Sequence, residues 1–200
     1  MDAEQAILPL LRPTEIQRLN RISSHKKKRE FLLSRALMRQ ALSELFDVPA
    51  KEWEFIEEVN AMPTINNLPK NAFISLSHSY GYIFFAVSAF AVGVDVELVR
   101  EKKQLLEKAS LFMSKKEIEG FKNLQGIDQL DSFYNIWCAK ESYFKANKSN
   151  QKQMKFTSLS IIDDLENSSS WNLIAETING VHYSVVVKNK ANAIKLRGHN

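Results

Sequence analysis

The sequence predicts an α+β fold in which a helix-plus-antiparallel-sheet unit occurs twice. Three observations carry this. Apolar residues recur at helical spacing in two long segments, about 25–46 and from Asp128 or Asp131 to about Ala146. Each helical stretch is followed by short apolar or alternating runs separated by turn residues. Asn179-Gly180 between two alternating segments signals a type I′ hairpin, so the strands it joins run antiparallel. The chain passes from one unit to the other near residue 100. The expected halves are 1–99 and 100–200, although no residue-level repeat relates them.

Each element follows from local chemistry. Ser23 or Ser24 caps a helix from about His25 to Phe46, with Phe31, Leu32, Met38, Leu42 and Leu45 on its apolar face and Arg35 and Arg39 as a second stripe. Pro49 stops it. Trp53 to Val59 alternates weakly as a strand, and Pro63, Asn66-Asn67 and Pro69 mark loops. Phe73–Ser77, Tyr82–Phe90 and Val92–Leu98 read as strands, the middle one apolar on both faces and expected to be central. Glu101–Leu111 is amphipathic, and Ser114-Lys115-Lys116-Glu117 is a capping box that opens a short helix. The second long helix buries Phe133, Ile136, Trp137 and Phe144. Strands are expected at Phe156–Ile162, Trp171–Thr177, Val181–Lys188 and around Ala193–Leu196.

Bulk properties narrow the function. Of 200 residues 44% are hydrophobic and 25% charged, an ordinary globular composition. The single cysteine, Cys138, excludes an internal disulfide, and no Cys/His cluster suggests zinc. The start shows no charged n-region followed by an apolar h-region. The longest apolar stretch, Tyr82–Val94, is too short to span a bilayer. A soluble cytoplasmic protein, not attached to a membrane, is the expectation. The net charge is +4, and Lys26-Lys27-Lys28-Arg29 opens the first long helix. That run suits a solvated helix face, a nucleic-acid backbone or a small phosphorylated ligand. Aromatic residues that would stack bases are sparse there, so nucleic acid is the weaker partner.

Two segments carry chemistry. In Gly93-Val94-Asp95-Val96-Glu97 the acids are two apart on a strand, so both leave by one face. In Trp137-Cys138-Ala139-Lys140-Glu141-Ser142-Tyr143-Phe144-Lys145, Glu141 and Lys145 are neighbours on one helix face. A D-x-E strand or an i,i+4 ion pair is common when alone. Together they supply Asp95, Glu97 and Glu141 as hard oxygen ligands for Mg²⁺, which completes its shell with water and substrate phosphates. Mn²⁺ suits the same oxygens. Lys145 adds a cation for the phosphates, and Lys140 faces either cleft or solvent. His78, within Ser75-Leu76-Ser77-His78-Ser79, sits among hydroxyls at a strand end where phosphate oxygens can bind. His25, His182 and His199 have no such setting. The site lies between the halves.

These residues resemble the 4′-phosphopantetheinyl transferases. Gly-(Ile/Val)-Asp-(Ile/Val)-Glu, then Trp-x-x-Lys-Glu-(Ala/Ser)-x-x-Lys some forty-odd residues on, is that family's signature, and it is met by Gly93–Glu97 and Trp137–Lys145. Ser77-His78-Ser79 and the Arg-rich first helix (Arg29, Arg35, Arg39) point to the larger, surfactin-synthetase-activating type. The resemblance implies a pseudo-twofold α+β fold that clasps coenzyme A between its halves. It implies transfer of coenzyme A's phosphopantetheine arm to a serine of an apo acyl or peptidyl carrier protein, with release of 3′,5′-ADP, by an enzyme that works as a monomer. Carried over, Asp95, Glu97 and Glu141 bind Mg²⁺, Glu141 helps remove the serine proton and Lys145 holds the pyrophosphate. Ser77, His78, Lys26, Arg29 and Arg35 contact coenzyme A's phosphates. The family's Gly-Lys-Pro stands here as Ala61-Met62-Pro63, its Asn two before Ser-His as Ser75, and its Gly after the serine as Tyr80. A catalytically inactive relative that binds coenzyme A or a carrier is the other reading. Leu111, Phe112 and Met113 belong either to the core or to a carrier-docking face.

Overall fold

A computed structural model describes residues 3–57, 63–148 and 154–188. Chain order is α1 (Ala3–Ile7), α2 (Pro13–Arg21), α3 (His25–Phe46), β1 (Phe55–Ile56), β2 (Thr64–Ile65), β3 (Phe73–Ser79), β4 (Tyr82–Ser88) and β5 (Val92–Leu98). Then come α4 (Leu105–Ser110), α5 (Lys115–Lys122), α6 (Gly126–Ala146), α7 (Ile161–Glu166), β6 (Asn172–Ile178) and β7 (Val181–Val187). Helix and antiparallel sheet are mixed throughout, as the α+β expectation requires. β1 pairs with β2, β3 with β4, and β5-β7-β6 form a three-stranded sheet.

Local signals set the helix ends. Ser24 Oγ accepts from the Lys27 N–H at the start of α3, and Asp47 closes that helix in the left-handed conformation with φ 54°. The Ser114/Glu117 capping box forms at α5 in both directions. At the β6–β7 turn, Asn179 and Gly180 take φ 52° and 76°, as a type I′ hairpin needs.

β4 is apolar on both faces for a different reason from the one expected. It pairs by hydrogen bonds with β3 and is not the centre of a sheet. Phe85 and Val87 pack into a core with Met38 and Leu42 of α3 and with Trp53. Phe84 and Ala86 pack on Val92, Val94, Val185 and Val187 of the β5-β7-β6 sheet. The strand is thus the filling between two layers. The other face of the β5-β7-β6 sheet carries α6, whose Phe133, Ile136 and Ala139 share a core with Phe112, Met113 and Val186. Phe112 and Met113 are therefore core residues, and Leu111 beside them is 77% exposed.

Other expectations shift. β5, expected to end the first half, ladders along β7 from Val92↔Val187 to Leu98↔Val181 and so lies in the sheet of the C-terminal strands. Residues 156–162 form no strand: a 3-10 turn covers Phe156–Ser158 and α7 begins at Ile161. Ile161 and Leu165 are one helical turn apart and both buried, while Glu117 Oε1 accepts the Ile161 N–H and satisfies the new helix start. The strand near Trp53 shortens to Phe55–Ile56; Val59 and the strand around Ala193–Leu196 lie outside the described residues. The helices α1 and α2 precede the first expected element; Pro13 at the first turn is a local signal for α2.

Candidate active site

The alternation of two strands builds the floor. On β3, Ser75, Ser77 and Ser79 recur at period two, and on β5 so do Gly93, Asp95 and Glu97. No backbone ladder joins β3 to β5; the serine side chains join them instead. Ser75 Oγ accepts the Val94 N–H at 3.1 Å, Ser77 Oγ donates to Asp95 Oδ1 at 2.7 Å, and Ser79 Oγ donates to Glu97 Oε2 at 2.6 Å. Two hydroxyls thus orient the two acids.

The wall is α6, and Gly93 sets how close it comes. A Cβ at residue 93 would lie 1.8 Å from the Ser142 carbonyl oxygen and 2.6 Å from the Ala146 nitrogen, so helix backbone rests directly on the strand. Ser142 Oγ pairs with Ser184 Oγ at 2.5 Å and donates to the Ser184 carbonyl, fixing α6 on β7 as well. This approach delivers Lys145 to the acids: its ammonium donates to Asp95 Oδ1 at 2.7 Å, the Val94 carbonyl at 3.1 Å and Ser77 Oγ at 3.2 Å. The result is a cleft of about 320 Å³ lined by Leu76, Ser77, His78, Asp95, Glu97, Trp137, Glu141 and Lys145.

Charge in this cleft is concentrated and poorly solvated. Burial pushes the Glu141 carboxyl above its ordinary pKa; Lys145 opposes that, and Asp95 and Glu97 add to it. The buried Cys138 thiol beside Asp95 is pushed far upward, mainly by burial, and stays neutral. His182, in register with Glu97 on β7, is held low by burial, so its imidazole is neutral, with Nδ1 on Thr177 Oγ1 at 2.8 Å. Among the described residues no three acid, histidine or cysteine side chains are already gathered into a metal cage. The donor set nevertheless fits a hard divalent cation. Among the described residues Asp95 Oδ2 is buried without an oxygen or nitrogen partner, beside the Cys138 thiol, and Asp95, Glu141 and Glu97 line the same cleft.

The profile of the 4′-phosphopantetheinyl transferase superfamily matches residues 91–196, which span β5, α6 and the strands after it. The chain belongs to that superfamily. It is similar to the 4′-phosphopantetheinyl transferase Sfp of Bacillus subtilis (strain 168), with 26% identity over 72% of this chain and 63% of that protein. The 4′-phosphopantetheinyl transferase ffp of Bacillus subtilis is 32% identical over 57% of this chain and 50% of its own length. HetI of Nostoc sp. (strain PCC 7120), also named a 4′-phosphopantetheinyl transferase, is 26% identical over 71% of this chain and 61% of its own. The chain therefore spans about half to somewhat under two thirds of the curated relatives it matches.

The transferase signature accounts for some residues and not others. Asp95, Glu97, Glu141, Lys145, Ser77 and His78 are brought to one cleft. Arg35 is not: it is buried against Glu57 at 2.6 Å and Glu15 at 3.4 Å, and burial lowers its pKa. Arg39 likewise pairs with the buried Glu15. The arginine stripe on α3 thus fastens α2 and the segment after β1, which its i,i+4 spacing alone could not distinguish from a ligand site. Arg29 is exposed on the first turns of α3 and is not among the cleft-lining residues. Lys26 stands over the Tyr80 ring at 5.0 Å, two residues beyond the cleft's His78.

Lys140 faces neither cleft nor solvent. It is fully buried, with its ammonium on the Phe112, Phe156 and Leu159 carbonyls at 3.0, 2.6 and 2.7 Å and on Glu117 at 2.7 Å. Sequence reasoning missed Ser75 and Ser79, whose signal was a serine repeat matching the D-x-E period. Arg100, outside the cleft lining, stacks its guanidinium 3.6 Å from the Tyr80 ring while Tyr134 Oη brackets its backbone N–H and carbonyl. The Ala61-Met62 departure from the family pattern lies outside the described residues.

Proposed function

We propose that this protein transfers the 4′-phosphopantetheine arm of coenzyme A to a serine of an apo acyl or peptidyl carrier protein and releases 3′,5′-ADP. The supporting observation is that both halves of the superfamily signature, separated by the whole of α4 and α5, meet in one cleft with Ser77 and His78. Asp95, Glu141 and Glu97 would hold Mg²⁺, or Mn²⁺, with Ser79 orienting the Glu97 carboxylate. The ion, when bound, neutralises pyrophosphate charge and orients the phosphorus for in-line attack.

The remaining work belongs to side chains. Glu141 accepts the serine proton, directly or through water, as the hydroxyl oxygen attacks the β-phosphorus and the ADP oxygen leaves. Its carboxylate lines the cleft beside Asp95 and Lys145, within the site where the serine hydroxyl would enter. Lys145 stabilises charge on the pyrophosphate. His78 and Ser77 contact the phosphates at the end of β3, and Lys26 and Arg29 make the approach from the α3 start positive. A net charge of +4 favours encounter with an acidic carrier. Among the described residues no helix is long and apolar enough to cross a membrane. The reading has the enzyme act as a cytoplasmic monomer.

Mass spectrometry of a panel of apo carrier proteins incubated with the protein, coenzyme A and Mg²⁺ tests this. A gain of one phosphopantetheine arm, abolished by EDTA, is the expected result. Coenzyme A binding with no transfer to any carrier would instead favour the inactive binding relative.

A further inference from the structure

In the reaction proposed above, Lys145 serves a phosphate and Asp95 a metal ion, yet the two are bound to each other. An ammonium has three N–H donors. Lys145 gives all three to the protein: to Asp95 Oδ1 at 2.7 Å, the Val94 carbonyl at 3.1 Å and Ser77 Oγ at 3.2 Å. None is left over for a pyrophosphate. Asp95 Oδ1 accepts a second bond from Ser77 Oγ, also at 2.7 Å, so that oxygen is committed too. The pair is poorly solvated, with side-chain exposures of 27% for Lys145 and 7% for Asp95, so its attraction is screened less than that of a surface ion pair.

Orientation and charge can be separated here. Ser77 holds Asp95 Oδ1 without help from Lys145, and Ser77 is itself buried in β3. What Lys145 alone supplies to Asp95 is positive charge. Among the described residues the other carboxylate oxygen, Oδ2, has no charged or oxygen partner, only the neutral Cys138 thiol beside the group, and Asp95 lines the cleft where a cation would enter. We propose that Lys145 is a displaceable internal counter-ion: it neutralises Asp95 while the site is empty, and metal ion and pyrophosphate must each separate the same pair. The inference rests on the metal-site reading above. Two ligands that split one ion pair favour each other, because the second finds it already parted. An ion at Asp95 frees the ammonium for pyrophosphate, and pyrophosphate drawing on Lys145 frees the carboxylate for the ion. A lysine that merely positioned Asp95 would have the opposite effect, since its loss would loosen the metal site.

Titration of Mn²⁺ alone, without coenzyme A, into the full chain tests this, with free Mn²⁺ read by electron paramagnetic resonance. Lys145→Met is expected to bind Mn²⁺ more tightly than wild type, by a factor within the roughly 5–150-fold range of site-to-site coupling. Lys145→Arg, which keeps the charge, should stay near wild type, and Asp95→Asn should lose the site. Mn²⁺ binding to Lys145→Met that is unchanged or weaker, or binding that survives Asp95→Asn, overturns the counter-ion and leaves the transferase reading standing. No Mn²⁺ binding to wild type or to folded Lys145→Met overturns the counter-ion and the metal site together. If Lys145→Met does not fold, acylation footprinting of wild type decides: saturating Mn²⁺ should raise labelling of Lys145, and no rise overturns the proposal.

Discussion

Replacing Gly93 with alanine probes the site without touching any group that does chemistry. The new Cβ would lie 1.8 Å from the Ser142 oxygen and 2.6 Å from the Ala146 nitrogen, and both atoms are helix backbone that cannot rotate away. Restoring even a 3.0 Å contact moves α6 off β5 by about 1.2 Å. Overpacking of that kind costs about 1–3 kcal/mol. For a chain of 200 residues it should lower Tm by about 2–12 °C. The consequence for function is larger. Lys145 rides on α6, so the same shift displaces it from the position it holds beside Asp95. Glu141 moves with it. Misplacement of catalytic groups by about 1 Å is worth on the order of 10²-fold in rate. The assay is kcat/KM for arm transfer to whichever carrier the screen identifies, alongside a thermal melt. A Gly93→Ala protein with wild-type turnover and unchanged Tm would refute the claim that helix–strand contact at residue 93 sets the site geometry.

Three further outcomes follow from the same contacts. Ser79→Ala removes a hydrogen bond to a charged group, worth about 1.5–3 kcal/mol, and releases Glu97 Oε2. Transfer should slow about tenfold or more with a modest fall in Tm, and an unchanged kcat/KM would remove Ser79 from the positioning of Glu97. Lys140→Met strands Glu117 and three carbonyls in the core, so a loss of about 3–5 kcal/mol is expected in denaturant melts. A loss below about 1 kcal/mol would show that Lys140 is not the tie described. Glu141 is held with a raised pKa in the fold, so its ionised form opposes folding: the protein gains stability as pH falls through that raised value and the carboxyl protonates. With Mg²⁺ present, Glu141→Gln should abolish transfer; in EDTA, the same variant should raise Tm at pH 7, with the gain vanishing below the ordinary carboxylate pKa of about 4.3. A lower Tm at pH 7 would contradict this.

The parts of the site legible in sequence are those set by local periodicity. The alternation that puts Asp95 and Glu97 on one face, and the turn that stacks Glu141 over Lys145, need no tertiary information. The α3 bounds, the α5 capping box and the Asn179-Gly180 turn are equally local. What could not be read is which acid meets which base across the chain. Arg35 looks like a ligand for a phosphate until Glu57, and Glu15 on the preceding helix, take it; Arg39 beside it also pairs with Glu15. Lys140 and Lys145 are indistinguishable by type, yet one is sealed in the core and the other lines the cleft. β4 read as a central strand because burial on both faces looks the same whether the cover is another strand or another layer. Residues 156–162 carry β-branched Ile161 and Ile162, but the buried Ile161/Leu165 pair and the waiting Glu117 carboxylate select a helix there.

Three consecutive positions on α6 show why so short a motif can specify an active site. Successive helix residues point about 100° apart. Lys140 is locked into the carbonyls of Phe112, Phe156 and Leu159, and Ser142 is locked onto Ser184 of β7. Glu141 lies between them and is left facing the cleft. Rotation of α6 about its axis would break one lock or the other, so the direction of the Glu141 carboxylate is held by residues that never touch a substrate. Gly93 then sets the distance between helix and strand. Lysine, glutamate and serine in sequence, with glycine two residues before the first acid, determine rotation and separation as well as chemistry. The Lys-Glu-Ser and Gly-Val-Asp segments are therefore as much a specification of packing as of catalysis, and replacing Lys140 or Ser142 should disturb Glu141 through geometry alone.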